Sequence, residues 1–330
     1  MNALCNPLRR LWLAGLLGLA VACPSPAEVV RIMPLGDSIT AGADGGYRTI
    51  LFNTLNEAGH TIDFVGSSTL QKDRPQLADS DHEGHGGWRT YNIRNNIARW
   101  INDYQPDVIF LHIGTNDIST GANTVEVTRR LWNLLDEIYT ASPDVTVYVA
   151  GIIRRLDSPD KDQITRQYGR LTSAVVDAWV GAGYDARYVN MYPFIQPEDL
   201  ADALHPNQRG YNKMGLIWAA VYDGTPTDMP LSMTTPQAGQ PVTLTVDGAV
   251  PDQEVRFYAT TAAFGSTRID DLNVDLDINH PQYLGSATAD ALGRATLTTD
   301  IAPDMGGQVV RVQAAAHEQT SQVLVKIVRH

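Results

Sequence analysis

VIFLHIGTND, residues Val108–Asp117, is apolar at every position from Val108 to Ile113 except His112, and then turns abruptly polar. So short an apolar run, closed by glycine, reads as a strand buried on both faces, which is the habit of parallel sheets. In such sheets, reactive groups sit on loops beyond the C-terminal ends of the strands. Gly114-Thr115-Asn116-Asp117 therefore lies where chemistry is expected. Asn116 is a candidate to aim an amide N–H at a developing oxyanion, and the alternative is that it caps its own turn.

Reading outward gives four more strand-like runs: Val29–Met33, Thr61–Val65, Val145–Ala150 and Ala186–Val189. Helix-like stretches separate or follow them: Tyr47–Ala58, Asn92–Ile101, Thr124–Thr140, Ile164–Val180 and Gly210–Tyr222. Within Thr124–Thr140, Leu131, Leu134, Leu135 and Ile138 recur at helical spacing. Gly59 is placed to stop the first helix. This alternation predicts an α/β fold, a three-layer α/β/α sandwich on a five-stranded parallel sheet.

Two further polar clusters follow strands. Gly36-Asp37-Ser38 follows the first, and Asp202-Ala203-Leu204-His205-Pro206-Asn207 follows the last. Ser38 at a strand-to-helix turn has free backbone N–H groups beside it. His205 is suited to take the Ser38 proton, and Asp202, three residues earlier, to orient the imidazolium. Taken singly, each cluster is explained as well by an ordinary turn. Together they are brought to one rim by the fold.

GDSIT at Gly36–Thr40, GTND at Gly114–Asp117 and DALHPN at Asp202–Asn207 resemble, in order and spacing, the blocks of the SGNH (GDSL) hydrolase superfamily, whose sheet is flavodoxin-like. GYR at Gly46–Arg48, DFVGS at Asp63–Ser67, HEGHGGW at His82–Trp88 and HPN–GYNKM at His205–Met214 are similar to carbohydrate esterase family three, which comprises acetylxylan esterases. The resemblance runs from about Val29 to Tyr222. It implies that Ser38 is the nucleophile, His205 the base and Asp202 its orienting acid. The oxyanion hole it implies consists of the Ser38 and Gly87 amides and the Asn116 side chain. The family often has serine where Gly86 stands. Trp88 and Tyr91 are candidates to stack on sugar rings, or else pack beneath their loop.

The implied activity is ester hydrolysis through an acyl-enzyme, with no cofactor or metal. Acetylated xylan is the favoured substrate, and a lysophospholipase or short-chain carboxylesterase is the alternative. A metallophosphoesterase reading would use Asp37, His112, Asn116, Asp117 and His205 as ligands. A third reading is an inactive carbohydrate-binding protein.

Arg9 and Arg10 precede the apolar run Leu11–Ala22, which is too short to span a bilayer. Residues 1–27 thus read as an export signal cleaved after Ser25-Pro26-Ala27, giving a secreted or periplasmic protein without stable membrane insertion. Lipidation at Cys23 is the alternative. Cys5 and Cys23 are the two cysteines of the chain, so the expected mature protein carries no disulfide. The formal net charge of -12 disfavours nucleic acid as a partner.

Residues 28–222 form the expected catalytic domain, and DGTPTDMP at 223–230 reads as a linker. Over 231–330 the pattern becomes β: Val242–Val246, Val255–Ala259, Ala295–Thr299, Val309–Ala314 and Val323–Val328, with a turn at Asp290–Gly293. An accessory β-sandwich is expected there, outside the resemblance, with contact to polysaccharide as its candidate role.

Overall fold

The computed structural model describes residues 29–68, 79–227 and 229–330. Residues 1–27, expected above to be an export signal, and with them both cysteines, lie outside the described residues.

The first part of the chain runs β1 (Val30–Gly36), α1 (Ser38–Ala41), α2 (Arg48–Glu57), β2 (Ile62–Phe64), β3 (Glu83–Gly84) and α3 (Thr90–Tyr104). It continues with β4 (Val108–His112), α4 (Thr115–Ser119), α5 (Thr124–Ala141), β5 (Thr146–Gly151), α6 (Pro159–Gly181), β6 (Ala186–Asn190) and α7 (Gln208–Tyr222). The sheet is parallel, in the order β2-β1-β4-β5-β6. The two-residue β3 adds to β1 at Leu35 and Gly36, beyond the end of β2. The five expected strands are present, and β3 is an addition too short to show a period in the sequence.

Alternation along the strands sorts the core into two layers. Met33, Ile109, Leu111, Val147 and Val149 pack with α3, α5 and α6, through Trp100, Leu131, Leu135 and Trp179 among others. Ile32, Phe110, Tyr148 and Val189 face α2 and α7, against Leu51, Leu55, Met214 and Trp218. Both faces of the sheet are therefore covered, which is why the strands read as apolar runs. The helices start where side-chain caps demand it. Asn123 accepts from Glu126 N (3.0 Å) to begin α5, and Asn207 accepts from Gly210 N (3.1 Å) to begin α7. No described helix is long and apolar enough to cross a membrane.

The C-terminal region is antiparallel. Its strands are β7 (Leu231–Met233), β8 (Pro241–Val246), β9 (Glu254–Thr260), β10 (Phe264–Ile269), β11 (Val274–Ile278) and β12 (Gln282–Thr288). They are followed by β13 (Ala295–Asp300), β14 (Val309–Ala316), β15 (Gln319–Thr320) and β16 (Leu324–Ile327). One sheet is β12-β9-β14-β15 with β16 on β14, and a second is β13-β8-β7. Leu231, Leu244, Val246, Phe257, Val312 and Ala314 fill the core between them. The β10–β11 hairpin supplies Val274, Leu276 and Ile278 to a smaller core with Tyr258 and Ala315.

At the crowded end of β1, Gly36 pairs with His112 on β4. A Cβ on Gly36 would lie 2.2 Å from the His112 carbonyl oxygen and 2.4 Å from Thr40 Oγ1. On Gly86 it would meet nothing within 4 Å. Gly36→Ala should therefore lower stability by about 1–3 kcal/mol or more, whereas Gly86→Ala should stay within about 0.5 kcal/mol. Thermal unfolding of the two variants, compared with the parent, checks the contrast.

Candidate active site

Four loops at the C-terminal edge of the sheet build the site, the fourth carrying Asp202 and His205 between β6 and α7. The first leaves β1. The Asp37 carboxylate accepts from Ile39 N (3.0 Å) and caps α1, so Ser38 begins that helix and its N–H has no partner within it. Ser38 Oγ lies 2.9 Å from His205 Nε2. The other ring nitrogen, His205 Nδ1, lies 2.9 Å from Asp202 Oδ2. Asp202 Oδ1 accepts from the backbone of Leu204 (2.7 Å) and His205 (2.8 Å). Partial burial pushes the Asp202 carboxyl up, but these amides and the imidazole outweigh it and hold the pKa below the ordinary value. The carboxylate is thus charged and fixed behind the ring. That is the order of groups a serine nucleophile and its base require.

The second loop carries the glycines. His85 N donates to Gly36 O (3.0 Å), fastening this loop to β1. The His85 ring stacks on Trp88 (4.1 Å) and lies nearly parallel to Trp100 (5.1 Å), the three rings forming one cluster, and its Nε2 lies 2.7 Å from the buried Glu83 carboxylate. Gly87 follows with φ +76°, a left-handed conformation that favours glycine. From the third loop, Asn116 Nδ2 donates to Trp88 O at 2.9 Å. Asn116 thus clamps the glycine loop, and its amide has a second N–H to offer. The structure joins Ser38, His205 and Asp202 in one hydrogen-bonded chain, while Asn116 is tied to the glycine loop through Trp88 O, one residue from Gly87.

Trp88 is partly buried against the core, with its ring stacked on His85. Tyr91 is exposed, and the Arg89 guanidinium sits 4.6 Å over its ring.

The residues of the metal reading serve separate tasks. His112 Nε2 accepts from Ile153 N (3.3 Å), and burial pushes its pKa down to about 4. Asp117 is buried, pairs with Arg130 (2.7 Å) and accepts from Thr90 N (2.8 Å) and Thr90 Oγ1 (2.9 Å), tying α3 to α5. Among the described residues, no three His, Cys, Asp or Glu side chains gather as a metal site.

Sequence reasoning missed Arg154 and Arg155, which follow β5. Arg155 binds Thr115 O (3.3 Å), Ser119 Oγ (2.9 Å) and both oxygens of Asp157. Leu156 N donates to Ala203 O (2.8 Å), between Asp202 and His205. Two adjacent arginines at the end of an apolar strand were the available signal. A cleft of about 920 Å³ lies between α6 and β11, but it is lined by none of Ser38, Gly87, Asn116, Asp202 or His205.

The profile of the GDSL-like lipase/acylhydrolase family matches residues 35–213. A curated relative from Ruminococcus flavefaciens, named a multidomain esterase, is 31% identical over 236 residues, covering 63% of this chain and 30% of its own length. A second, from Acetivibrio thermocellus, is 35% identical over 129 residues, covering 38% of this chain and 54% of its own. The chain thus spans about a third and about half of these relatives. A solved family 3 carbohydrate esterase from Clostridium thermocellum is 36% identical, with a TM-score of 0.53 over 59% of this chain and 97% of that one. A solved carbohydrate esterase family 3 protein from Talaromyces cellulolyticus is 29% identical, with the same TM-score, covering 59% of this chain and 96% of that one.

Asp37, wholly buried, has its pKa raised by burial from 3.8 to about 6, against the lowering effect of the Ile39 amide and the Thr115 hydroxyl. The unfolded chain ionises first, so this carboxyl contributes stability at low pH that is lost as pH rises from about 4 to about 6. Two pKa units correspond to on the order of 3 kcal/mol. Asp37→Asn should remove that loss while keeping an oxygen for the cap. The melting temperature of the variant should gain on the parent between pH 4 and pH 7.5. A difference independent of pH would contradict this.

Proposed function

The chain belongs to the GDSL-like lipase/acylhydrolase family, and from that premise we propose that it is an exported serine esterase that removes O-acyl groups, chiefly O-acetyl, from plant cell-wall polysaccharide such as acetylated xylan. The observation that carries the reading is the 2.9 Å approach of Ser38 Oγ to His205 Nε2, with Asp202 held 2.9 Å behind the ring. The substrate class is supported by the likeness to the family 3 carbohydrate esterase. Export is supported by Arg9, Arg10 and the apolar run Leu11–Ala22.

In the proposed mechanism, Ser38 Oγ attacks the ester carbonyl carbon while His205 Nε2 takes its proton. Asp202 keeps the Nδ1–H tautomer and stabilises the imidazolium. Negative charge gathers on the former carbonyl oxygen. The N–H groups of Ser38 and Gly87 and the second N–H of Asn116 Nδ2 hold it. Collapse expels the alcohol, which leaves with the proton from His205 and yields the acyl-serine. His205 then deprotonates a water that attacks this ester, and a second collapse returns Ser38 to its hydroxyl form and releases the acid. The three N–H donors stabilise the intermediate more than the neutral carbonyl, so their effect falls on kcat.

An acyl-length series from acetyl to decanoyl, run beside acetylated xylan, tests the substrate. Acetate release from xylan with rates falling along the series is expected. A maximum at long chains would favour the lysophospholipase reading, and equal short-chain rates with inert xylan a general carboxylesterase. Ser38→Ala should abolish most turnover at an unchanged melting temperature, and full activity would reject the assignment. Asn116→Ala should lower kcat on the order of 10²–10³-fold with KM little changed. Because the same side chain clamps Trp88 O, the loss should fall at the severe end. A raised KM with unchanged kcat would refute the oxyanion role.

A further inference from the structure

The antiparallel region has its own cores and pairs its own strands, so nothing in its internal packing requires contact with the α/β layers. Yet side chains reach across: Asp275 on β11 lies 3.9 Å from Arg170 on α6 at the exposed surface, and a second contact is shielded from solvent. Glu318 lies in the tight turn between β14 and β15, and its Oε2 accepts from Arg154 Nη2 at 2.5 Å. Both groups are nearly closed to solvent, with side-chain exposures of 6% for Glu318 and 11% for Arg154. Pairs so shielded are screened far less than surface ones, and losing one partner strands the other as a buried charge.

Glu318 is held for this contact from its own side. Its Oε1 accepts from Asn273 Nδ2 (3.2 Å), and its N–H donates to Leu272 O (2.8 Å). Its φ is +61°, in the left-handed region that non-glycine residues seldom occupy. Such a conformation persists when the surroundings over-determine it.

Arg154 in turn grips the segment that leads to the base. Its Nε donates to Ile195 O, and its guanidinium lies 4.9 Å over the Tyr192 ring. Two residues on, Leu156 N donates to Ala203 O between Asp202 and His205. The short segment 154–156 therefore touches the catalytic loop at both its start and its tip, and the far side of Arg154 is braced by Glu318. A displaced Arg154 would move the Leu156–Ala203 contact with it, and with that the ring whose Nε2 must meet Ser38 Oγ.

We propose that the C-terminal β region is a positioning element of the active site, with Glu318 as a positioning residue that holds His205 in register through Arg154 and the 154–156 segment. This rests on the esterase reading above. It predicts a dependence of the chemical step on a residue in a part of the chain that lies beyond the three catalytic blocks.

The test uses the full chain and a small chromogenic acetate at 25 °C, with kcat, KM and melting temperature measured for each variant. Glu318→Ala should lower kcat about tenfold, a part of the ~100-fold that a 1 Å misplacement costs, with KM nearly unchanged. Glu318→Gln keeps an acceptor oxygen without the charge and should fall between Glu318→Ala and the parent. Adding Arg154→Met to Glu318→Ala should lower kcat further, because it also removes the Ile195 O and Tyr192 contacts, but by less than the two single losses combined, since the Glu318–Arg154 contact is counted in both. A Glu318→Ala protein with parental kcat and a lowered melting temperature would overturn the proposal, leaving Glu318 a purely structural role. If Glu318→Ala does not fold, Glu318→Gln decides: a lowered kcat supports the proposal and a parental kcat overturns it. An inactive parent chain would refute the esterase reading itself, whereas an active parent with unaffected variants refutes this inference alone.

Discussion

The structure depends on how closely β1 and β4 approach at the top of the sheet. Gly36 sits against the His112 carbonyl with no room for a side chain. That contact lets the chain turn at once into α1, so Ser38 emerges beside the loop that carries Asn116. The same strand end receives His85 N on Gly36 O, which brings the glycine loop alongside. A wider spacing would separate Ser38 from Asn116 and the glycine loop whatever residues filled the loops.

The glycine, Asn116 and His205 loops are then each fixed by one buried carboxylate. Glu83 holds His85 and the Ser67 hydroxyl under the glycine loop. Asp117 joins Thr90 and Arg130 behind Asn116. Asp199 binds Arg209 (2.6 Å) and Lys213 (2.6 Å) at the base of the His205 loop. Buried charges are costly unless paired and hydrogen-bonded, so each of these groups accepts few arrangements of its loop. Rigidity at the rim comes from these anchors, and the exposed Asp202 and half-buried His205 stay in line without being enclosed.

Much of this was legible in the sequence because the sheet is covered on both faces. Val108–His112 and Thr146–Gly151 are buried nearly throughout, so their apolar runs marked them. Ser38 and Asn116 follow close behind β1 and β4, and His205 lies on the long connection from β6 to α7, so the parallel topology gathered them. The two-residue β3 and the short helices α1 and α4 could not announce themselves, since neither period fits in so few residues. Phe264–Ile269, rich in polar residues, hid β10, although its partner β11 alternates Val274, Leu276 and Ile278 inward. Arg154 and Glu318 are 164 residues apart, and no local pattern names a partner at that distance.

If Ser38 is the group that takes the acyl chain, its modification and the loss of activity must coincide. The most direct measurement is to treat the full chain with a serine-directed phosphonate and locate the adduct by peptide mass spectrometry while following esterase activity. The account predicts one adduct, on the peptide containing Ser38, formed in proportion to the activity lost and much more slowly when His205 is replaced by alanine. Complete modification of Ser38 with activity intact, or loss of activity with Ser38 unmodified, would contradict it.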